Sequence, residues 1–137
     1  MVFHKSFKEL TKEELVEIFK LRQTVFMVEQ EIIEVDIDDH DLVCEHLFIK
    51  KDGKIVSYAR LIEEKEELYI GRVATLKEYR KRGFTTEIIK YLQERHDVLA
   101  VSSQDIRIDF YKKLDFKVVG RKYKDAGIWH QKMVYIK

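Results

Sequence analysis

Leu68-Tyr69-Ile70-Gly71-Arg72-Val73-Ala74-Thr75-Leu76, then Lys77-Glu78-Tyr79, then Arg80-Lys81-Arg82-Gly83-Phe84-Thr85-Thr86-Glu87-Ile88-Ile89-Lys90-Tyr91-Leu92-Gln93 is the stretch whose reading decides the fold. The first run is apolar and β-prone, and reads as a buried strand. The last run sets Phe84, Ile88, Tyr91 and Leu92 at helical spacing. Between them lies a short basic turn ending at Gly83. A strand, a basic turn with a glycine and a helix make an anion site, because the free N–H groups of the first helical turn and the helix dipole both attract phosphate. Gly83 has no Cβ and lets backbone approach a ligand. Arg80, Lys81 and Arg82 supply positive charge beside it, the two arginines as charge-assisted donors. The dinucleotide fingerprint needs three glycines and this turn has one. The P-loop needs Gly-Lys-Ser/Thr, and here Phe84 follows Gly83.

Working outward, the 137 residues suit one domain, 1–137, with one core. A 45% hydrophobic content excludes a disordered chain, and a net charge of +1 does not point to nucleic acid. No apolar run reaches transmembrane length, so no membrane is expected. Cys44 is the only cysteine, which rules out an intramolecular disulfide. With no signal-like N-terminus, that fits a cytoplasmic protein.

Val2 to Phe7 is expected to form a first strand. Thr11-x-x-Glu14 is a capping box, and Leu15, Ile18, Phe19, Val25 and Phe26 make the buried stripe of the helix it opens. Arg22 falls on that stripe, so it either snorkels past the core edge or faces a site. Glu29 to Glu45 is acidic. It reads as a solvated loop, or as a wall that attracts a cationic amine. Asp36-x-Asp38 lacks the glycine that a calcium loop wants, so no metal is expected. His46–Lys51 and Lys54–Ile62 are strands about an Asp52-Gly53 type I′ turn. Val98–Ser102 should pair parallel with the Leu68 strand. Ser102 or Ser103 should cap a helix with Ile106, Phe110 and Leu114 inward. Phe116–Tyr123 and Trp129–Ile136 read as a terminal hairpin. The fold class is α+β, a mixed, mostly antiparallel sheet flanked by helices.

Two motifs, one after each of two successive strands, carry a family resemblance. Arg80-x-x-Gly83-x-Thr85 resembles the acetyl-coenzyme A motif of the GCN5-related N-acetyltransferases (GNAT), with Thr85 in place of the usual Gly or Ala. Phe110-Tyr111-Lys112-Lys113-Leu114-Asp115-Phe116 resembles their Phe-Tyr-x-x-x-Gly-Phe segment, with Asp115 for the glycine. Asp tolerates the left-handed backbone that glycine serves there. Leu21-Arg22-x-x-Val25-Phe26-x-x-Glu29-Gln30, Asp36-x-Asp38, His46 and Gly127-x-x-His130-x-x-Met133 resemble the ElaA-like subgroup. The resemblance spans essentially the whole chain. It implies a GNAT-like sheet, acetyl-CoA as co-substrate, and a small amine-bearing acceptor.

It further implies that the central strand parts from its parallel neighbour near Val73, Ala74 and Thr75, freeing polar groups to grip the pantetheine arm and the carbonyl. Tyr111 is the acid that protonates the departing thiolate. For the base that takes a proton from the ammonium, Glu29 and His130 are the candidates. Arg22 and Glu29 are the candidates for the acceptor side. The alternatives are a non-catalytic coenzyme A-binding module and an acyl-homoserine-lactone-synthase-like acyltransferase. The acceptor's identity and the oligomeric state stay open, a homodimer being one candidate.

Overall fold

A computed structural model describes all residues 1–137. Its strands are β1 Phe3–Ser6, β2 Glu45–Lys51, β3 Lys54–Glu64, β4 Glu67–Thr75, β5 Val98–Gln104, β6 Phe116–Val118, β7 Tyr123–Asp125 and β8 Ile128–Ile136. Its helices are α1 Lys12–Arg22, α2 His40–Val43, α3 Phe84–Arg95 and α4 Ile108–Lys112. The sheet runs β1-β2-β3-β4-β5-β8-β6, with β7 also on β8. Every pairing is antiparallel except β4 with β5. The expected α+β class is what is seen. No helix is long and apolar enough to cross a membrane.

Each sheet face has its own core. Ile88, Ile89 and Leu92 of α3 pack on Leu47, Val56, Leu61, Leu99 and Met133. On the other face Ile18, Leu21 and Val25 pack on Phe48, Tyr58 and Ala74. Cutting one such buried Leu or Ile to Ala typically costs about 2–5 kcal/mol. The α1 start is the capping box read from the sequence. Glu14 N–H donates to Thr11 Oγ1 at 3.0 Å, and Thr11 N–H to Glu14 Oε1 at 2.9 Å. Turn chemistry matches too, with Asp52 and Gly53 at φ +53° and +75° and Asp115 at +68°.

Several expectations need correction. The expected α1 stripe is seen at Ile18, Phe19, Val25 and Phe26, but Leu21 joins its buried part and Leu15 is only half-buried. Gln23–Glu29 continues α1 with π winding, and Gln30 N–H reaches Val25 O at 3.1 Å. The wider turn departs from the 3.6-residue period, and Phe26, Met27 and Gln30 line a cavity. Ser102 and Ser103 cap no helix, because β5 continues to Gln104. Ile106 is 83% exposed instead of inward. The terminal hairpin is broken, since Gly120 at φ +75° stands between β6 and β7 and both pair with β8.

Candidate active site

β4 and β5 are paired only at Tyr69↔Ala100 and Ile70↔Val101, after which Gly71 to Thr75 have no partner on β5. The strands part three residues before Val73. Into this opening extends a cavity of about 480 Å³, within the range of small-molecule sites. Its lining brings together Arg22, Val73, Thr85, Tyr111 and His130 from the sequence reading. Glu29, Ala74, Thr75 and the turn Arg80–Phe84 do not line it. Ala74 puts its side chain into the α1-side core, and Phe84 packs on the α3-side core. Ala74 is buried, so it offers a ligand at this site its backbone only, whereas Phe84 is partly buried.

Gly83 caps α3 with φ +81°, and a Cβ added there would meet nothing within 4 Å. The glycine is therefore needed for its left-handed backbone, and the space beside it is open to a ligand. That open cradle at the N-terminus of a twelve-residue helix, with Lys81 and Arg82 exposed beside it, fits a pyrophosphate. Thr85 neither blocks the cradle nor hangs free. Its hydroxyl bonds Thr75 Oγ1 at 2.8 Å, which bonds Ser57 Oγ at 2.7 Å, so a hydroxyl chain ties α3 to β4 and β3.

Arg80 is less free than the sequence suggested. Its Nε donates to Thr75 O at 2.9 Å, and its two terminal nitrogens reach the Glu29 carboxylate at 2.6 and 2.9 Å. That bidentate pair holds the Glu29 carboxyl below its usual range. Both Glu29 oxygens are spent, which leaves a poor proton acceptor. His130 is differently placed. Its Nδ1 lies 2.8 Å from Ile128 O, a contact that needs a proton on Nδ1, so in the neutral ring Nε2 is the acceptor. The ring stacks on Tyr123, whose hydroxyl bonds Ser102 Oγ. Tyr111 is 6% exposed and set edge-on against Phe110 and Phe116. Burial pushes its phenol up to about 12, so it stays protonated at neutral pH.

Arg22 does not snorkel. It is fully buried, donating to Asp36 Oδ2 at 2.9 Å, Asp36 O at 2.8 Å and both Asp41 oxygens at 2.7 and 3.1 Å. Arg60 donates to Asp38 and Asp41, and Arg72 contacts Asp36 and Asp38. Three arginines and three aspartates thus neutralise one another, so this part of the acidic segment is neither solvated nor a negative wall. Arg60 and Arg72 were missed in the sequence, although each is a charge inside an apolar strand and so a signal of buried partners. Gln104 was missed too; its amide donates to Gln30 Oε1 at 2.9 Å and bridges β5 to the π-wound segment.

Asp41, Cys44 and His46 bring their ligand atoms within 4.8 Å of one another. Their donor capacity is already used. His46 Nδ1 meets Tyr58 Oη at 2.6 Å and Nε2 meets Asp41 O at 3.0 Å. Burial pushes the Cys44 thiol up to about 11, far from the thiolate a metal or a nucleophile requires.

Comparison with known proteins points to acyl transfer. Residues 8–137 match the family model described as an acetyltransferase (GNAT) domain. A UPF0039 protein of Schizosaccharomyces pombe is 34% identical over 95% of this chain and 93% of its own length. Two solved structures superpose closely and are covered to 99%, over 98% of this chain. Escherichia coli ElaA does so with 26% identity and a TM-score of 0.90, and an acyl-CoA N-acyltransferase from Pseudomonas aeruginosa with 25% and 0.89. A family model that takes in nearly the whole chain, the parted β4–β5 pair and the Gly83 turn agree, and the chain belongs to the GNAT acetyltransferase family as an ElaA-like acyltransferase that uses a coenzyme A-derived co-substrate.

Proposed function

We propose that the protein transfers the acetyl group of acetyl-CoA to a primary amine of a small acceptor, by direct attack while both are bound. The observation that carries this reading is the meeting, in one cavity, of the β4–β5 opening, the His130 ring and the Tyr111 phenol. The α3 N-terminus with Gly83, Lys81 and Arg82 holds the pyrophosphate, and Arg80 joins it by exchanging Glu29 for phosphate. Backbone donors of β4 at Val73 to Thr75 face the pantetheine arm and the thioester carbonyl. His130 Nε2 takes the proton from the ammonium, directly or through one water. The amine nitrogen then bonds the carbonyl carbon, and the oxyanion rests against the β4 donors. As the C–S bond breaks, Tyr111 gives its proton to the sulfur, and the nitrogen loses its second proton through water to the Tyr111 phenolate, which leaves a neutral amide and a thiol.

The acceptor lies between the π-wound segment, with Gln23, Met27 and Gln30, and the β7–β8 turn, with Tyr123, Asp125 and His130. Glu34, Glu64 and Asp125 line this cavity outside the arginine–aspartate network, which favours a cationic acceptor. The test is thioester consumption by the purified protein with a polyamine, an amino sugar, an aminoglycoside and a lysine peptide. Turnover with a small amine supports the reading. Coenzyme A binding without turnover on any of them would favour a non-catalytic binding module.

A further inference from the structure

Arg72 stands in the left-handed region at φ +51°. A residue with a Cβ avoids that conformation, and it persists where surrounding contacts over-determine it. In the β3–β4 register Tyr58 faces Ala74 and Arg60 faces Gly71, so Arg72 and Val73 together oppose Ala59 as a β-bulge. The contacts that hold the bulge come from the acidic segment. Arg72 Nε lies 2.9 Å from Asp36 Oδ1 and 3.3 Å from Asp36 O, and Nη2 lies 3.0 Å from the same carbonyl and 3.4 Å from Asp38 Oδ2. Asp36 is itself held by the fully buried Arg22. The bulge begins two residues beyond the last β4–β5 pair, and Gly71, Arg72 and Val73 all line the cavity.

We infer that Asp36 and Arg72 are positioning residues that lock the β4 bulge so that its backbone N–H groups aim at the thioester carbonyl. A backbone donor has no side chain to tune it, so its direction is set by local φ and ψ. The Asp36–Arg72 clamp sets them here, from an element that also walls the acceptor side. Val35 and Asp36 line the same cavity. The inference rests on the acyl-transfer reading above.

The experiment compares acetyl-CoA with S-ethyl-CoA, a thioether that keeps the nucleotide and pantetheine but has no carbonyl. Affinities are measured by calorimetry for wild type, Asp36→Asn, Arg72→Lys and Arg72→Gly, alongside kcat. Arg72→Gly accepts the left-handed backbone without strain, so it folds where Asp36→Asn does not. Wild type should prefer the thioester. Arg72→Gly should narrow that preference and lower kcat by about tenfold, short of the loss from deleting an oxyanion donor outright. Affinity for S-ethyl-CoA should hold, and Arg72→Lys should recover part of the loss. A loss of fold stability alone would not move the thioester-to-thioether ratio. An unchanged ratio and kcat in Arg72→Gly overturns the inference while leaving acyl transfer intact. Wild type binding neither compound overturns both.

Discussion

Glu29 and Arg80 form a bidentate ion pair, 2.6 and 2.9 Å, that joins the end of the π-wound segment to the basic turn before α3, fifty-one residues later. The pair sets a carboxylate that the sequence offered as a candidate base against the cation proposed for the donor, and neither is free while it lasts. The pair is partly exposed, so it is worth about 0.2–1 kcal/mol. Glu29→Gln should therefore tighten donor binding by up to about fivefold, because Arg80 is released and a negative charge leaves the phosphate site. Calorimetry with coenzyme A checks it. Weaker binding in Glu29→Gln would mean that Arg80 staples the turn and that phosphate is held by other groups.

Gly83 separates backbone conformation from ligand space. Its φ of +81° suits Asn, which tolerates the left-handed region, far better than Val. A Cβ there touches no protein atom. Gly83→Asn should keep the thermal midpoint of the ligand-free protein within a few degrees. It should also lower the shift caused by acetyl-CoA, which at about 100 times its Kd is about 2.7 kcal/mol in the wild type. A full ligand-induced shift in Gly83→Asn would place the pyrophosphate elsewhere.

The arginine–aspartate network predicts acid sensitivity. Bonds and charge from Arg60 hold Asp38 down at about 2. Burial alone would raise Asp41, but the Arg22 guanidinium outweighs it and the net shift is downward. A folded pKa below the unfolded value of about 3.9 gives stability that is complete above that value and is lost as pH falls through the folded one. Unfolding free energy should drop between about pH 4 and pH 2. Asp41→Asn, which leaves Arg22 and Arg60 short of a buried partner, should cost about 3–5 kcal/mol at pH 7 and flatten the acid limb. Urea titrations across that range test both, and an unchanged limb would sink the assignment.

What the sequence made legible was what local chemistry dictates. Thr11 and Glu14 announce a helix start whatever surrounds them, and Asp52-Gly53 announces its turn. The Leu68-to-Gln93 stretch carries its own strand, turn and helix signals. Features decided by distant partners stayed hidden. Arg22 reads as a boundary residue until Asp36 and Asp41 fold back over it. The π winding after Arg22 has no local sequence mark. Ser102 and Ser103 look like helix caps, but pairing with β8 extends the strand past them. At the site, Gly83 and Tyr111 were readable by motif, whereas the Glu29–Arg80 pair spans too much chain to be seen.

Tyr111 provides the sharpest test of chemistry. Burial holds its phenol near 12, so it is a fully loaded proton donor across the working range. The pH profile of kcat/KM should rise as the amine loses its proton, and should then stay level to about pH 10 with no descending limb from this acid. Tyr111→Phe keeps the ring packed between Phe110 and Phe116, so donor Kd should change little. It removes a proton given mainly in the transition state, which lowers kcat and kcat/KM together. The loss should be about 10²-fold. It should shrink with an activated thioester, whose thiolate leaves without a proton, and grow with a poor leaving thiol. Wild-type turnover in Tyr111→Phe, with chemistry shown to limit the rate, would remove the phenol from the mechanism. A large rise in donor Kd would recast it as a binding residue.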